Sequence, residues 1–566
     1  MKKWLLIVIA MLFVPYLFRP FALDLHSDIG LHTMQILRLV DAEWIFGFDP
    51  NHAYVNPLVQ MFTNLHGPVR QAVMFPIFYL LDVIGIPFTE YTINATFVVV
   101  GFLLGMWAYY MARAVVGSTK AMWFAVLLST IPYYVLQMKI GWWHLFTYPL
   151  LIGSFAALHR FLVEGATRWY WWFCIAFSAY LTSDPAFMFG GLFLFLYAFV
   201  WFLMKEGSVR LAMRALVRMI FGNRATLIPL LVFLGLIGIA IIGRVKFGAD
   251  FGVFARLLEK QGRLGIPNPA LFLQMLVEGM GITGFLLFPA MVVTGAWALI
   301  GVVRRTIREP LLVAATLFVW IAFLLIALAG GAAGALYILY VPALFLMVHM
   351  LFLMGRRWRL GMLLVITAST YLQTLLYNDG YRPPAFLTRP LAVIGSGEPC
   401  RAIWCPWNFD EVKNLGVTTA AFAVRDHLGI QPIPFVSLQE NFYVRPKEIF
   451  FYSGYEQGPS FSIGRRISYR VEDIAGARVI LVAASGFMAE APSAVAAERN
   501  QKVLDFLATH PEYRHVATVT KNGIDMIQIF ERDSTRALQI FSVEEYDAKF
   551  NEKYGNLRDL GHIDLG

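Results

Sequence analysis

The chain has 566 residues, of which 58% are hydrophobic and 15% aromatic, and its formal net charge at pH 7 is +9. These values exclude a soluble globular protein, because apolar runs long enough to cross about 30 Å of hydrocarbon recur along the sequence. They also argue against nucleic-acid binding, since Lys and Arg lie in short clusters between the apolar runs, where they set membrane orientation. Three cysteines give neither a disulfide scaffold nor a zinc pattern.

The first apolar run begins after Lys2 and Lys3 and continues to Phe18. It has the basic start and apolar stretch of a signal peptide, but no small-x-small cleavage motif follows it and further apolar runs do. We therefore expect an uncleaved first transmembrane helix with its N-terminus in the cytoplasm.

Eleven apolar runs predict an α-helical polytopic membrane protein of a bacterial inner membrane, with its C-terminus on the periplasmic face. With the N-terminus inside, basic residues fall at every alternate junction between the runs, as the positive-inside rule requires. These junction residues are Arg113, Lys120, Arg160, Arg168, Lys205, Arg210, Arg214, Arg218, Arg224, Arg304, Arg305, Arg308, Arg356, Arg357 and Arg359. The runs lie at about 4–18, 92–112, 121–138, 145–163, 169–183, 187–204, 225–243, 281–303, 311–329, 333–354 and 360–377.

One further run, residues 69–85, is not expected to cross the membrane. It is short, contains Arg70 and Pro76, and would invert the alternation of basic junctions if it crossed. An interfacial or re-entrant helix is the better prediction. The first periplasmic loop then extends over about 19–91, far longer than a bare connection needs, and a second long periplasmic loop covers 244–280.

The composition changes after Tyr377, where a polar, Pro-rich linker follows the predicted transmembrane domain of residues 1–377. Residues 378–566 are predicted to form a periplasmic domain of the α/β or α+β class. Its predicted elements are a buried strand at 477–483, an amphipathic helix at 495–510 and a hairpin around Asn522-Gly523.

The three cysteines have different expected roles. Cys400 and Cys405 lie in the predicted periplasmic domain, where oxidising conditions favour a local disulfide between them. Cys174 lies inside a predicted span, where a small packing role is expected.

The segment after the first span concentrates titratable side chains beside the membrane. Asp24, His26, Ser27, Asp28 and His32 lie within nine residues. A helix that begins at Ser27 would place Asp28 in its first turn and His32 one turn later on the same face. A carboxylate held there can accept a proton from an attacking hydroxyl. The alternative is that Asp28 only stabilises the helix N-terminus electrostatically.

A divalent metal site is another hypothesis for this loop. Asp24, His26, Asp28 and His32 are all metal-ligand residue types, and a hard cation such as Mg²⁺ or Mn²⁺ could bind a carboxylate against a substrate phosphate. Their spacing matches no fixed metal-binding pattern, so no cofactor is certain. His66 shares the loop with Arg70, and the two could line a polar cleft or simply lie at the surface.

Several short motifs resemble those of C-type (GT-C) glycosyltransferases, in particular the protein O-mannosyltransferases and the lipid A aminoarabinose transferase. Residues 27–48, SDIGLHTMQILRLVDAEWIFGF, resemble the first periplasmic loop of that family, in which an acidic residue precedes an amphipathic helix. His66-Gly67-Pro68 is similar to the element before its juxtamembrane helix, and residues 181–185, LTSDP, are similar to a turn between its spans. The resemblance covers about 380 residues of the membrane half.

The resemblance implies transfer of a sugar from a polyprenyl-phosphate donor to a glycan, lipid or protein acceptor, with inversion and with Asp28 as the base. The family's acidic pair is Asp28-Ile29 here, so a second carboxylate must come from Asp24 or be absent. Where many relatives carry Asp-Pro after the third span, this chain has Trp142-Trp143-His144. The residues assigned to substrate binding are Asp24, His32, His66, Arg70, His144, Arg244, Lys246, Arg256 and Arg263, of which the Arg and Lys would bind the lipid phosphate.

Two other functions fit a polytopic membrane protein. A transporter or flippase of a lipid-linked saccharide predicts paired polar residues in mid-span, and neither these nor inverted repeats are visible in the sequence. A non-catalytic assembly protein that has lost the second carboxylate predicts that Asp28→Asn leaves function intact. Membrane lipids are expected partners in every case.

Overall fold

The structure is a computed structural model of the full chain. It describes residues 2–17, 36, 68–86, 90–131, 144–183, 187–222, 224–246, 292–293, 295–301, 309–328, 337–378, 416, 419–420, 423, 435–437, 460–462, 478–486, 494–546 and 548. The chain divides into two compact units, one dominated by Phe97–Trp407 and the other by Asn408–Gly566, and each also includes shorter N-terminal segments.

The first part of the chain is helical. Its described helices are α1 (Lys2–Leu17), α2 (Pro68–Val83), α3 (Glu90–Ser129), α4 (His144–Glu164), α5 (Thr167–Ser183), α6 (Phe187–Glu206), α7 (Val209–Phe221), α8 (Arg224–Lys246), α9 (Pro310–Leu328), α10 (Tyr337–Leu353) and α11 (Arg356–Asn378). Most of these coincide with the predicted apolar runs, because long runs of apolar residues satisfy their backbone hydrogen bonds as helices in a membrane.

By length and apolarity together, two described helical segments could each cross a membrane, Ala95–Ser129 and Phe146–Glu164. A third is counted if Val209–Phe221 and Arg224–Gly238 form one broken span. Shorter apolar helices are found at Pro310–Ala322 and Val341–Leu353. The chain is thus helical and apolar as predicted, while the number of eleven spans stays a prediction.

Helix α3 contains a sharp break at Gly117, which has φ 79° and ψ 168° and so leaves the helical conformation. This residue lies in the junction predicted between the runs 92–112 and 121–138. A positive φ costs a residue with a Cβ more than it costs glycine, and Gly117 therefore allows two apolar helices to meet without a loop.

The helical core is built from aromatic side chains of four helices. The Phe155 ring of α4 lies 4.7 Å from the Tyr197 ring of α6 and 5.3 Å from the Phe345 ring of α10. Phe193 of α6 lies 5.5 Å from Phe318 of α9 in an edge-to-face contact. All five rings are buried, and such pairs stabilise packing by about 0.5–1.5 kcal/mol beyond the area they bury. These contacts fix α4, α6, α9 and α10 against one another.

The C-terminal part contains a six-stranded mixed sheet. Its strands are β1 (Phe435–Ser437), β2 (Ser460–Ser462), β3 (Val479–Ala483), β4 (Tyr513–Lys521), β5 (Ile524–Arg532) and β6 (Gln539–Ser542), with helix α12 (Ala494–Thr509) before β4. The strand order is β2-β1-β3-β5-β4-β6. Strand β5 is antiparallel to both β3 and β4, whereas β1 pairs in parallel with β2 and β3, and β6 pairs in parallel with β4.

The predicted hairpin at Asn522-Gly523 is present between β4 and β5. Both residues have positive φ, 52° and 74°, which is the backbone that a two-residue turn needs to match the twist of its strands. Helix α12 packs on the sheet through Val503 and Phe506, which contact Ile480 and Tyr513 in one buried cluster. The strand predicted at 477–483 and the helix predicted at 495–510 are confirmed, and the boundary predicted after Tyr377 stays a prediction.

Candidate functional site

Most residues of the predicted catalytic loop lie outside the described part of the chain. These are Asp24, His26, Asp28, His32 and His66, together with Arg256 and Arg263 of the second periplasmic loop. His144 begins α4, while Arg244 and Lys246 lie in the last turn of α8, and for these three only the backbone is described. Their assigned roles therefore stay predictions.

Arg70 is the predicted site residue whose side chain the structure describes. It lies in the first turn of α2, only 2% of its surface is exposed, and its Cζ atom is 5.3 Å from the centroid of the Phe97 ring. Phe97 belongs to α3 and is also fully buried. A cation over an aromatic face is attracted by the ring quadrupole, so this contact holds the start of α2 against α3.

The sequence of α2 explains why Arg70 points inward. Gln71, Met74 and Phe78 are buried with it, whereas Tyr79 and Leu80 are exposed. The buried face therefore mixes polar and apolar residues, and the exposed face is mostly apolar except for Asp82. A helix on a soluble protein normally exposes a polar face. A helix with this arrangement fits a bilayer boundary, as predicted for the run 69–85.

A buried guanidinium keeps its charge, because arginine is not deprotonated in proteins, and a buried charge must be balanced. Its planar fork of N–H donors matches the oxygens of a phosphate or carboxylate. The sequence leaves two placements open for Arg70, a polar cleft shared with His66 or the protein surface. The structure places the Arg70 side chain in the interior, with 2% of its surface exposed.

A second group of titratable side chains joins three helices. Glu309, the residue before α9, has Oε1 at 3.6 Å from Lys120 Nζ of α3 and Oε2 at 3.2 Å from His349 Nδ1 of α10. These side chains line a small surface depression together with Leu312 and Phe345. The group lies at or near junctions that the basic residues predict to be cytoplasmic, and the catalytic loop is predicted on the opposite face of the membrane.

The same end of the bundle carries a second arginine over an aromatic ring. The Arg359 guanidinium lies 4.1 Å from the centroid of the Phe352 ring, and Lys120 Nζ lies 6.0 Å from the same centroid. Arg359 also donates a hydrogen bond of 3.2 Å to the Met354 carbonyl oxygen. The contact of Arg359 with Phe352 holds α11 against α10, and we assign these residues a role in stabilising the helical bundle.

Glu309 and His349 were missed by the sequence analysis. Lys120 was found only as one of the basic junction residues. A single Glu before Pro310 and a single His inside an apolar run carry no periodic signal, and their contact depends on how α9 and α10 pack. The available clue was Glu309 itself, a carboxylate at a helix start between predicted spans.

A further polar contact lies within the helical core. His159 of α4 has Nδ1 at 2.5 Å from the Tyr197 hydroxyl of α6, and its ring packs edge-to-face on Trp201. The Tyr197 ring is buried and the His159 ring half-buried, and polar atoms in such positions are usually paired, as His159 Nδ1 and the Tyr197 hydroxyl are here. We assign it to structure.

Within the described residues, no three His, Cys, Asp or Glu side chains are grouped as metal ligands. The proposed alternative ligands Asp24 and His26 lie outside that part of the chain. Cys174 is buried and free, as expected for a packing residue. Cys400 and Cys405 are outside the described residues, and their disulfide stays a prediction.

Comparison with known proteins gives a match in structure. No protein-family model matches the sequence, and no curated protein sequence matches it either. The crystal structure of ArnT from Cupriavidus metallidurans bound to undecaprenyl phosphate matches with a TM-score of 0.55 at 12% identity, over 93% of this chain and 98% of ArnT. The apo state of that protein matches over the same shares, at 13% identity and a TM-score of 0.50. An oligosaccharyltransferase from Archaeoglobus fulgidus, in complex with Zn and sulfate, matches at 14% identity and a TM-score of 0.48, over 88% of this chain and 66% of its own.

At sequence identities of 12–13%, the structural likeness to ArnT establishes the fold of this chain and not its activity. The chain has the helical, membrane-type fold of a C-type glycosyltransferase, with a partly β-sheet C-terminal region. The resemblance to C-type glycosyltransferases that the sequence motifs indicated is therefore confirmed for the fold. The match to ArnT extends over nearly the whole length of both chains, so it includes the C-terminal region as well as the helical one.

Proposed function

We propose that this chain is a membrane glycosyltransferase that takes a sugar from a polyprenyl-phosphate donor and transfers it to a lipid, glycan or protein acceptor. The observation that carries this proposal is the fold likeness to ArnT over 93% of this chain and 98% of that one. ArnT was solved with undecaprenyl phosphate bound. A donor of the same chemical class suits a chain whose apolar helices can line a groove for a prenyl tail.

Arg70 supports a phosphate-binding role at this site. It is buried at the start of a helix whose exposed residues are mostly apolar. A cation inside the protein would attract the phosphate of a lipid donor bound beside it. Bidentate Arg–phosphate hydrogen bonds fix geometry as well as charge. Arg244, Lys246, Arg256 and Arg263 are proposed as further cations for the same phosphate, and His32, His66 and His144 as polar contacts to the sugar or acceptor.

Asp28 is proposed as the general base. It would accept the proton of the acceptor hydroxyl, whose oxygen attacks the anomeric carbon from the side opposite the phosphate. The bond from that carbon to the phosphate oxygen breaks, and its electron pair leaves with the polyprenyl phosphate, which inverts the anomeric configuration. Cations around the phosphate stabilise the charge that develops on the leaving group. Asp24 and His26 are the residues that would hold a Mg²⁺ or Mn²⁺ ion against the same phosphate.

The membrane orientation follows from the basic junctions. We propose that the chain lies in a bacterial inner membrane with its N-terminus cytoplasmic, its catalytic loop at the periplasmic face and residues 378–566 in the periplasm. Basic residues at the ends of described helices support this, since Arg160, Arg168 and Lys205 all lie at one set of alternate junctions.

The test is turnover of a lipid-linked donor by the purified protein. The protein in detergent is incubated with a panel of undecaprenyl-phosphate sugars and a membrane glycolipid extract, and free undecaprenyl phosphate is measured by mass spectrometry. The proposal expects acceptor-dependent release of undecaprenyl phosphate from at least one donor. A parallel reaction with EDTA tests whether a divalent ion is required.

A different function would give a different result. A flippase reconstituted in vesicles would move the lipid-linked sugar across the bilayer and leave the phosphodiester intact. An assembly protein would neither cleave nor move it. Either outcome would contradict the proposal.

A further inference from the structure

Helix α7 (Val209–Phe221) has a higher proportion of basic residues than the other described helices of the membrane part. It has three arginines in thirteen residues and no acidic residue. Ser208 caps its start by accepting a hydrogen bond of 3.4 Å from the Leu211 N–H, and Gly222 ends it by donating one of 2.7 Å to the Arg218 carbonyl. It is thus a separate, capped helix between α6 and α8.

The helix turns away from the direction of its neighbour. The axes of Val209–Phe221 and Arg224–Gly238 differ by 75°. Both α6 before it and α8 after it are strongly apolar helices. A short helix that lies across the end of an apolar helix occupies the level of the lipid headgroups when that helix crosses the membrane.

Only a narrow face of α7 packs on the protein. Ala212 and Leu216, four residues apart, are buried. A second row, again at a spacing of four, is apolar and exposed. Its members are Val209, Met213, Val217 and Phe221, with 60%, 40%, 51% and 62% of their surface accessible.

The arginines form a third row beside the apolar one. Arg210, Arg214 and Arg218 are all exposed. Successive residues of a helix are about 100° apart, so this row lies next to the Val209–Phe221 row and away from the buried one. An arginine beside an apolar surface can lay its methylene stem on that surface while its guanidinium reaches a more polar level.

We propose that α7 is an interfacial helix that binds the phosphate headgroups of anionic phospholipids, on the membrane face opposite the predicted catalytic loop. Its exposed apolar row inserts among the acyl chains, and its arginines contact the headgroups at the level where those chains end. Charge complementarity selects the occupant, because the exposed surface of this helix carries three positive charges and no negative one. The proposal does not depend on glycosyl transfer.

Native mass spectrometry of the full-length protein in detergent tests this directly. The protein is mixed with equal amounts of phosphatidylglycerol and phosphatidylcholine, and the ratio of the two bound lipids is measured. The wild-type protein is expected to retain phosphatidylglycerol preferentially. The triple variant Arg210→Gln/Arg214→Gln/Arg218→Gln is expected to lower that preference at least about tenfold, since each arginine near an anionic surface contributes about fivefold.

Two matched variants make the result specific. Arg168→Gln/Arg356→Gln/Arg357→Gln removes the same charge from exposed arginines at other junctions, and it should keep most of the preference. Arg210→Lys/Arg214→Lys/Arg218→Lys retains the charge and should also keep it, which separates loss of lipid binding from loss of folding.

Three outcomes would overturn the proposal. The first is an unchanged lipid ratio in the glutamine variant of α7. The second is an equal loss of phosphatidylglycerol preference in Arg168→Gln/Arg356→Gln/Arg357→Gln, which would mean that only the total charge of the protein matters. The third is a change in oligomeric mass with an unchanged lipid ratio, which would mean that α7 contacts a second copy of the chain.

Discussion

Arg70 of helix α2 lies with its guanidinium carbon 5.3 Å from the centre of the Phe97 ring of α3, and both side chains are buried. The contact joins α2 to the helix that follows it. It also fixes a permanent positive charge inside the protein, in the helix that comes after the predicted catalytic loop in the sequence. A lipid-phosphate donor needs such a charge near the membrane boundary.

Replacing Arg70 should weaken donor binding. Arg70→Gln is expected to raise KM for the lipid donor by about tenfold or more, because a charge-assisted bidentate contact to phosphate is lost. Arg70→Lys should be intermediate, since it keeps the charge but lacks the planar fork. The measurement is donor-dependent initial rate in detergent, with Arg357→Gln, an exposed arginine, as the control. A folded Arg70→Gln protein with an unchanged KM would remove Arg70 from the donor site.

The break in α3 should depend on glycine. At Gly117, which has φ 79°, an added Cβ would meet no heavy atom within 4 Å, so only backbone strain opposes a side chain. Gly117→Ala is expected to lower stability by about 1 kcal/mol. Gly361 in α11 is equally uncrowded and has no positive φ, so Gly361→Ala should raise stability by about 0.5–1 kcal/mol. The melting temperatures of both variants are measured by thermal unfolding in detergent. If both variants shift the melting temperature in the same direction, backbone strain at Gly117 is not the reason for its glycine.

Glu531 should stabilise the C-terminal sheet. It is 3% exposed and accepts a hydrogen bond of 2.7 Å from the Ser534 hydroxyl, with Arg478 at 3.3 Å and Arg536 at 3.6 Å. Glu531→Gln removes the charge that balances both arginines and is expected to cost about 2 kcal/mol. In the full-length Glu531→Gln protein, peptides from β3 and β5 should exchange their amide hydrogens faster than in the wild type. Glu545→Gln, at an exposed position, should leave exchange unchanged.

The stability of the same sheet should fall on mild acidification. His515 stacks on Phe530 at 4.9 Å, and burial lowers its pKa, with the Ala517 carbonyl and Asp525 opposing that effect. The folded sheet therefore binds fewer protons than the unfolded chain as the pH falls below the ordinary histidine pKa of about 6.5, and stability declines through that window. Glu544 has a lowered pKa because the Ser542 hydroxyl donates a hydrogen bond to it, so its stabilisation is lost only below the ordinary Glu pKa of about 4.3.

The predicted loss of stability from His515 is measured by hydrogen exchange of β4 and β5 at about pH 7.5 and about pH 5.5, on either side of the ordinary histidine pKa. The exchange rates are corrected for the pH dependence of the intrinsic rate. The wild-type sheet should lose protection at the lower pH. His515→Gln should reduce the difference between the two conditions. An identical pH dependence in the variant would show that His515 is not the titrating group.

The helices and the hairpin could be predicted from the sequence because their signals are local. The run 145–163 became α4 (His144–Glu164), and Asn522-Gly523 formed the expected two-residue turn. The run 69–85 became α2 with Pro76 inside, and its separation from the spans by charge and length stays a prediction. Each of these depends on residues close together in the chain.

The contacts between helices could not be predicted in this way. The contact of Glu309 with His349 joins residues forty positions apart, and neither residue belongs to a periodic pattern. Strand order was also beyond reach, because the short strands β1 and β2 are placed by pairing with β3 and carry little signal in their own sequence. The burial of Arg70 depends on Phe97, which the sequence shows only as one apolar residue among many.

The measurement that tests the central claim most directly is transfer activity of Asp28→Asn beside Asp24→Asn. Each purified variant is assayed for acceptor-dependent release of undecaprenyl phosphate, with abundance and thermal unfolding checked against the wild type. Asp28→Asn is expected to lower kcat by at least about a hundredfold, because general-base catalysis contributes about 10²–10⁴, while Asp24→Asn, which keeps the base, is expected to lower kcat less. Loss in both variants would favour a shared carboxylate or metal site. Full activity in both folded variants would contradict the assignment of a base in this loop.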